Sequence, residues 1–243
     1  MVRAQPAQQA PPLQRLRVRY AKRGRARFAS HRDIGRAIER ALRRASIPMA
    51  YSSGFSPHPR ISYAGASPTG AASESEYLEL GLSARLEPDH VRTLLSQALP
   101  DGIEVVGVVE ATGGALADQL TASAWRLDLP GVTAAIAEQA TTTLLAQPEH
   151  LVERMTKNGM RTFNVRSAIL RIEVVGEGLI DLVSAIGTPL VRPDDIVTAL
   201  TAVSPAFRPT QPPIFTRLAQ GTFDGNQVID PVPATLPPAS SPD

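Results

Sequence analysis

Cysteine is absent from the 243 residues. That absence excludes disulfides, thiol nucleophiles and cysteine-held iron–sulfur clusters, and it fits a reducing compartment. Aromatic residues make up only 5% of the chain. No apolar run approaches the roughly 20 residues needed to span a bilayer, and the opening MVRAQPAQQAPP lacks the hydrophobic segment of a secretory signal. The expectation is a cytoplasmic chain with no membrane attachment. Acids are scarce locally: the first sixty-five residues hold fourteen Lys/Arg and two acids, although the whole chain carries 25 Lys+Arg against 23 Asp+Glu. An apolar fraction of 43% is ample for real cores. Residues 1–13 and 224–243, rich in Pro, Ala, Gln and Ser, read as disordered tails with little to bury.

What the opening third does contain is arginine in two regular patterns. Ser30 and Asp33 form an S-x-x-D start signal, which sets a helix beginning near His31. Ile34, Ala37, Ile38, Ala41, Leu42 and Ala45 then fall on one face at helical period. Arg32, Arg36, Arg40, Arg43 and Arg44 are left outside with Glu39 as the single offsetting acid, and Pro48 is the expected stop. Before the helix, Leu16, Val18 and Tyr20 alternate with Arg15, Arg17 and Arg19, the pattern of a strand with an apolar face and a cationic face. Lys22, Arg23, Arg25 and Arg27 continue the run. Guanidinium groups bind phosphates bidentately and stack on bases, so these two rows point to a polyanion such as RNA. The alternative is a solvated basic face.

The loop SSGFSPHPR follows, with Gly54, Pro57 and Pro59 stiffening the backbone around Phe55, His58 and Arg60. His58 lies between two prolines and is expected extended, presenting its imidazole as a phosphate or base contact with Arg60 beside it. The site expected from these patterns comprises Arg15, Arg17, Arg19, Lys22, Arg32, Arg36, Arg40, Arg44, Phe55, His58 and Arg60. Ser30, His31 and Asp33 imitate a nucleophile triad but are nearly adjacent and already serve the helix start. His31, Asp33 and His58 match no familiar metal spacing. No metal, cofactor or catalytic residue is therefore assigned, His31 and His58 being the only candidates for proton transfer.

The remaining pattern gives an α+β chain. From Arg15 the order is strand, helix, strand (60–64), strand (76–82), helix (88–99) and strand (103–109), a split βαβ pair of ferredoxin-like type. A glycine joint at 112–120 leads to a second half with strand 124–129, helix 132–147, strands 169–175 and 179–186, a helix from Pro193 and a closing strand 214–218. Two ferredoxin-like (βαββαβ) halves result, at 14–111 and 121–223. An added hairpin, LVERMTKNGMRTFNV, has Lys157-Asn158-Gly159 as its turn.

KRGRARFASHRDIGRAIERALRRASIPMAYSSGFSPHPRISYAGASPTG, with SEYLEL, KNGMRTFNVR and VRPDDI further on, resembles the radical-SAM-linked proteins over nearly all of Leu16 to Leu218. The resemblance implies a partner carrying radical-SAM and cobalamin-binding signatures, encoded beside or fused to such a domain. It implies no catalytic residue, and the chain departs from the family pattern at Asn164, where an acid is usual. Without cysteine the chain cannot hold a radical-SAM cluster by itself. The leading expectation is an RNA-binding accessory module. A protein-interaction subunit docking the radical-SAM partner is the alternative, and an RNA-processing enzyme using His58 or His31 is the third.

Overall fold

The structure is a computed structural model that describes residues 8–156 and 159–234. It is a mixed α/β fold with, among the described residues, five helices and mostly antiparallel sheet, and it divides into two units, Met1–Ala117 with Pro231–Asp243, and Asp118–Asp230. Among the described residues no helix is long and apolar enough to cross a membrane.

The first unit runs β1 (Gln14–Lys22), α1 (His31–Arg44), β2 (Ile61–Ala64), β3 (Ala72–Leu82), α2 (Pro88–Ala98) and β4 (Ile103–Glu110). Its strands lie in the order β4-β1-β3-β2, every neighbour antiparallel. Leu16 stands opposite Leu80, and Val18 opposite Leu78 and Val108. These side chains form one core with Ile34, Ile38, Ala41 and Leu42 of α1 and Val91, Leu95 and Ala98 of α2, so both helices cover the same sheet face. The apolar stripe read from the sequence is the buried stripe of α1.

The start of α1 also follows the sequence. The Ser30 hydroxyl accepts from the Asp33 N–H at 3.2 Å and donates to the Asp33 carboxylate at 2.6 Å. That hydrogen bond, before any nearby arginine, holds the exposed Asp33 carboxyl below its ordinary pKa. The helix end differs from expectation. Winding stops at Arg44, four residues before Pro48, because Ser46 turns left-handed at φ 52°. The Ser46 N–H then reaches the Arg43 carbonyl and the Ile47 N–H the Leu42 carbonyl, each at 3.1 Å, which satisfies the last-turn carbonyls in a Schellman arrangement.

The second unit runs β5 (Ala122–Asp128), α3 (Ala134–Leu145), β6 (Leu151–Thr156), β7 (Gly159–Asn164), a short α4 (Val165–Ala168), β8 (Ile169–Gly176), β9 (Leu179–Ala185), α5 (Pro193–Val203), β10 (Ile214–Phe223) and β11 (Val228–Ile229). Its sheet has the order β10-β5-β9-β8, again antiparallel, with β11 added to β10. The β6–β7 hairpin forms its own ribbon. Its expected Lys157-Asn158-Gly159 turn lies, but for Gly159, outside the described residues.

Two expectations need correction here. Strands β3 and β10 are longer than 76–82 and 214–218, because Ser73, Ser75, Ala219 and Gly221 extend them without apolar alternation to mark it. The stretch from Asp224 to Ala234 is not an unburied tail: Val228 and Ile229 pair with Phe223 and Thr222, and Val232 is fully buried. A side chain at Gly221 would collide with the Ile229 carbonyl, and one at Gly107 with the Pro233 carbonyl, so these strand glycines admit the returning backbone.

Because Ser46 carries a Cβ in a left-handed conformation, Ser46→Gly is expected to stabilise the chain by about 0.5–1 kcal/mol. Urea unfolding followed by circular dichroism would read this as a higher midpoint.

Candidate functional site

Strand geometry decides what becomes of the β1 cations. Successive side chains alternate between faces, so packing Leu16, Val18 and Tyr20 under the helices sends Arg15, Arg17 and Arg19 to the opposite face. That face is not an open row of guanidinium groups. Arg17 is only 4% exposed; it donates to the Gly114 carbonyl at 2.5 Å and faces Glu79 at 3.5 Å. Arg19 donates to the Glu74 carbonyl at 2.9 Å and to the Val232 carbonyl at 3.5 Å. Lys22, also 4% exposed, donates to the Pro68 carbonyl at 3.3 Å. Arg23 is held by both oxygens of Glu74 and by Glu104, and the Glu74 hydrogen bond raises its pKa further. Arg23 remains partly exposed, and Arg15 projects into solvent, where it too lies 3.5 Å from Glu79. The expectation that β1 presents cations to a ligand is therefore corrected: buried guanidinium and ammonium groups need internal partners, and these have them.

Helix α1 behaves differently. Arg32, Arg36, Arg40 and Arg43 are exposed, and among the described residues none of their guanidinium groups forms an ion pair or hydrogen bond. Glu39 is half-buried and its charge bears on Tyr63. Arg44 donates to the Ala98 carbonyl at 3.3 Å and so serves the C-terminal turn of α2. Arg32, Arg36 and Arg40 are brought together as expected. Arg43 completes their face and was absent from the expected site although the same helical periodicity marks it.

Just upstream, the 3-10 turn Gly24–Phe28 adds Arg25 and Arg27. The Arg27 guanidinium lies 4.6 Å over the Phe28 ring, which is 60% exposed. The RARF sequence does not signal this pair, since nothing in it tells a core phenylalanine from a surface one.

The SSGFSPHPR loop is an ordered hairpin. Tyr51 pairs with Pro59, the Ser52 N–H donates to the His58 carbonyl at 2.8 Å, and the Ser52 hydroxyl accepts from the His58 N–H at 3.0 Å. Arg60 is drawn back, its Nε donating to the Tyr51 carbonyl at 3.2 Å. Phe55 projects from the tip, 67% exposed, and the His58 imidazole is exposed with no side-chain partner among the described residues. His31 instead meets Tyr63 edge to face, centroids 5.0 Å apart. Among the described residues neither histidine hydrogen-bonds to a second titratable side chain.

Residues 15–193 match a family described as "Uncharacterized protein conserved in bacteria (DUF2344)". The chain belongs to this family. No curated protein matches it. The DUF2344 region contains β1 from Arg15 onward, β2 to β4, the arginine face of α1, the loop and the β6–β7 hairpin. Asn164, the position expected from the sequence to depart from an acid, caps α4: its side-chain oxygen accepts from the Ser167 N–H at 3.3 Å and the His150 N–H at 3.4 Å. A carboxylate accepts the same two bonds, so the exchange keeps this local role.

Two expectations separate structural from surface groups. Arg17→Ala should cost about 2–3 kcal/mol, the loss of charge-assisted bonds from a buried group, while Arg40→Ala should change stability by less than about 0.5 kcal/mol; parallel urea titrations compare them. The Tyr63 hydroxyl is buried without a partner, and burial first, then Glu39, pushes its pKa up to about 12. The folded state thus favours the protonated phenol, a contribution complete below about pH 10 and lost as pH rises from there to about 12. In absorbance titration at 295 nm one phenol should ionise near pH 12, and Tyr63→Phe should remove it with no loss of stability.

Proposed function

We propose that this chain is an RNA-binding accessory module that contacts the RNA backbone with the outer face of α1 and acts together with a radical-SAM protein. The carrying observation is the contrast among its arginines. Arg17, Arg23, Arg126, Arg154 and Arg171 each face a carboxylate. Arg32, Arg36, Arg40 and Arg43 form no ion pair among the described residues, although Glu39 stands three residues after Arg36 and four before Arg43, and Asp33 three before Arg36. Four adjacent exposed guanidinium groups outnumber Asp33 and Glu39 on the helix and leave a net positive field suited to phosphates, and Arg27 with Phe28 adds a cation and an exposed ring at the start of the same helix, suited to an unstacked base.

Each unit is read as ferredoxin-like. The βαββαβ order with strand sequence 4-1-3-2 supports this in the first unit, and β5, α3, β8, β9, α5 and β10 repeat it in the second. The radical-SAM partner rests on the sequence resemblance, and the absence of cysteine is consistent with cluster chemistry belonging to that partner.

A second reading, docking to the radical-SAM partner without RNA, is favoured by the hairpin, where Phe55 at the tip and Tyr51 at the base are exposed on a backbone braced by cross-hairpin hydrogen bonds. Exposed aromatic anchors on a rigid loop suit a protein interface.

Titration of fluorescent transfer RNA at two salt concentrations tests the first reading. Replacing Arg32, Arg36, Arg40 and Arg43 by Gln should weaken binding at least tenfold and lower the slope of log K against log salt by about 0.7–0.9 for each phosphate that the helix no longer neutralises. Unchanged affinity would end it, and loss of partner co-purification in Phe55→Ala with RNA binding intact would support the second.

A further inference from the structure

The β6–β7 hairpin carries a feature that the α1 reading does not use. Arg154 and Arg161 stand directly opposite each other across the ribbon, like charges on one face where opposite or neutral pairs are the stabilising choice. Arg154 is fixed from three sides. Its Nη1 pairs with the Asp195 carboxylate, its Nη2 donates to the Leu190 carbonyl at 3.1 Å, and its guanidinium lies 4.1 Å over the buried Phe163 ring. Asp195, 3% exposed, also accepts the Arg192 N–H at 2.8 Å. Both bonds fall on one oxygen, Oδ2, of this carboxylate. Asp194 is the other acid nearby, and partial burial, then Asp195, raises its pKa. Arg161 and Arg192 have exposed side chains that, among the described residues, form no ion pair.

All three arginines line one open concavity of about 600 Å³, whose other walls are Met155, Thr156, Phe163, Pro189 and Leu190. Met155 and Leu190 are exposed there. The volume is within the range of small-molecule sites and well beyond what a bare oxyanion fills.

The geometry points to a binding site for a terminal phosphate monoester on a nucleotide-sized body, with Arg161 and Arg192 gripping the phosphate, the anchored Arg154 as third donor, and Met155 and Leu190 against the apolar part. A planar fork matches phosphate oxygens bidentately, and an anion between Arg154 and Arg161 removes the repulsion that the register imposes. The site is in a different unit from α1 and does not depend on the RNA reading. The same phosphate chemistry is offered by a free nucleotide and by the 5′ end of an RNA, and the two are separable.

Isothermal titration of the full chain with AMP, adenosine, a 5′-phosphorylated tetranucleotide and its 5′-hydroxyl form tests this. Saturable AMP binding, absent with adenosine and weakened at least tenfold in Arg161→Ala/Arg192→Ala, is expected if the source is a free nucleotide. Binding of the phosphorylated oligonucleotide alone, with the same weakening, assigns the site to an RNA end. Both substitutions are on exposed side chains, and an unchanged thermal midpoint confirms folding. No saturable binding of either phosphate ligand, a change below twofold in the double variant, or equal binding of the hydroxyl form overturns the proposal. The α1 Gln variant, which addresses transfer RNA binding, should leave AMP binding unaltered, so the two readings fail separately.

Discussion

Burial of the apolar stripe of α1 against Leu16, Val18, Leu78 and Leu80 is the constraint on which the arrangement of charge in the first unit depends. Once those side chains face the helix, strand alternation leaves Arg15, Arg17 and Arg19 no choice but the far side of the sheet. Helical periodicity in turn sends Arg32, Arg36, Arg40 and Arg43 into solvent on the near side. A sheet stands between the two sets, so they cannot converge on one ligand surface.

The same side chain thus has three physical fates in this chain. On β1, arginine is a structural cation whose bonds to Gly114, Glu74 and Val232 carbonyls tie loop and C-terminal segments to the sheet. On α1 it is a bare surface charge. In the second unit, Arg154 is an anchored donor, and Arg161 and Arg192 are exposed neighbours around one concavity that form no ion pair among the described residues. Burial separates these roles, because a desolvated guanidinium must be paired whereas an exposed one need not be. Function is best sought among the exposed arginines that have no partner. Those of α1 suit an extended polyanion, while those of the β6–β7 hairpin, set around a pocket with apolar walls, suit a compact ligand.

Much of the architecture was legible from local pattern. The Ser30 cap, the stripe from Ile34 to Leu42, the alternation in β1 and the proline starts of α2 and α5 each depend on neighbours within a few residues. The end of α1 was not, because a serine in the left-handed region at Ser46 has no distinguishing residue type. Nor were the extensions of β3 and β10, whose serines and glycine carry no amphipathic signal, or the packing of Val232, where burial is set by a segment more than a hundred residues away in sequence.

Composition and short-range periodicity alone determined the absence of thiol chemistry, the position of α1 and β1, and the excess of cations in the opening third. Tertiary structure alone decided which of those cations remain available. Whether an arginine meets water or a carbonyl depends on which distant backbone lies over it, as Gly114 lies over Arg17 and Val232 over Arg19. Likewise the concavity of Arg154, Arg161 and Arg192 joins residues up to 38 positions apart through strand register and the turn before α5, an arrangement that no local pattern encodes.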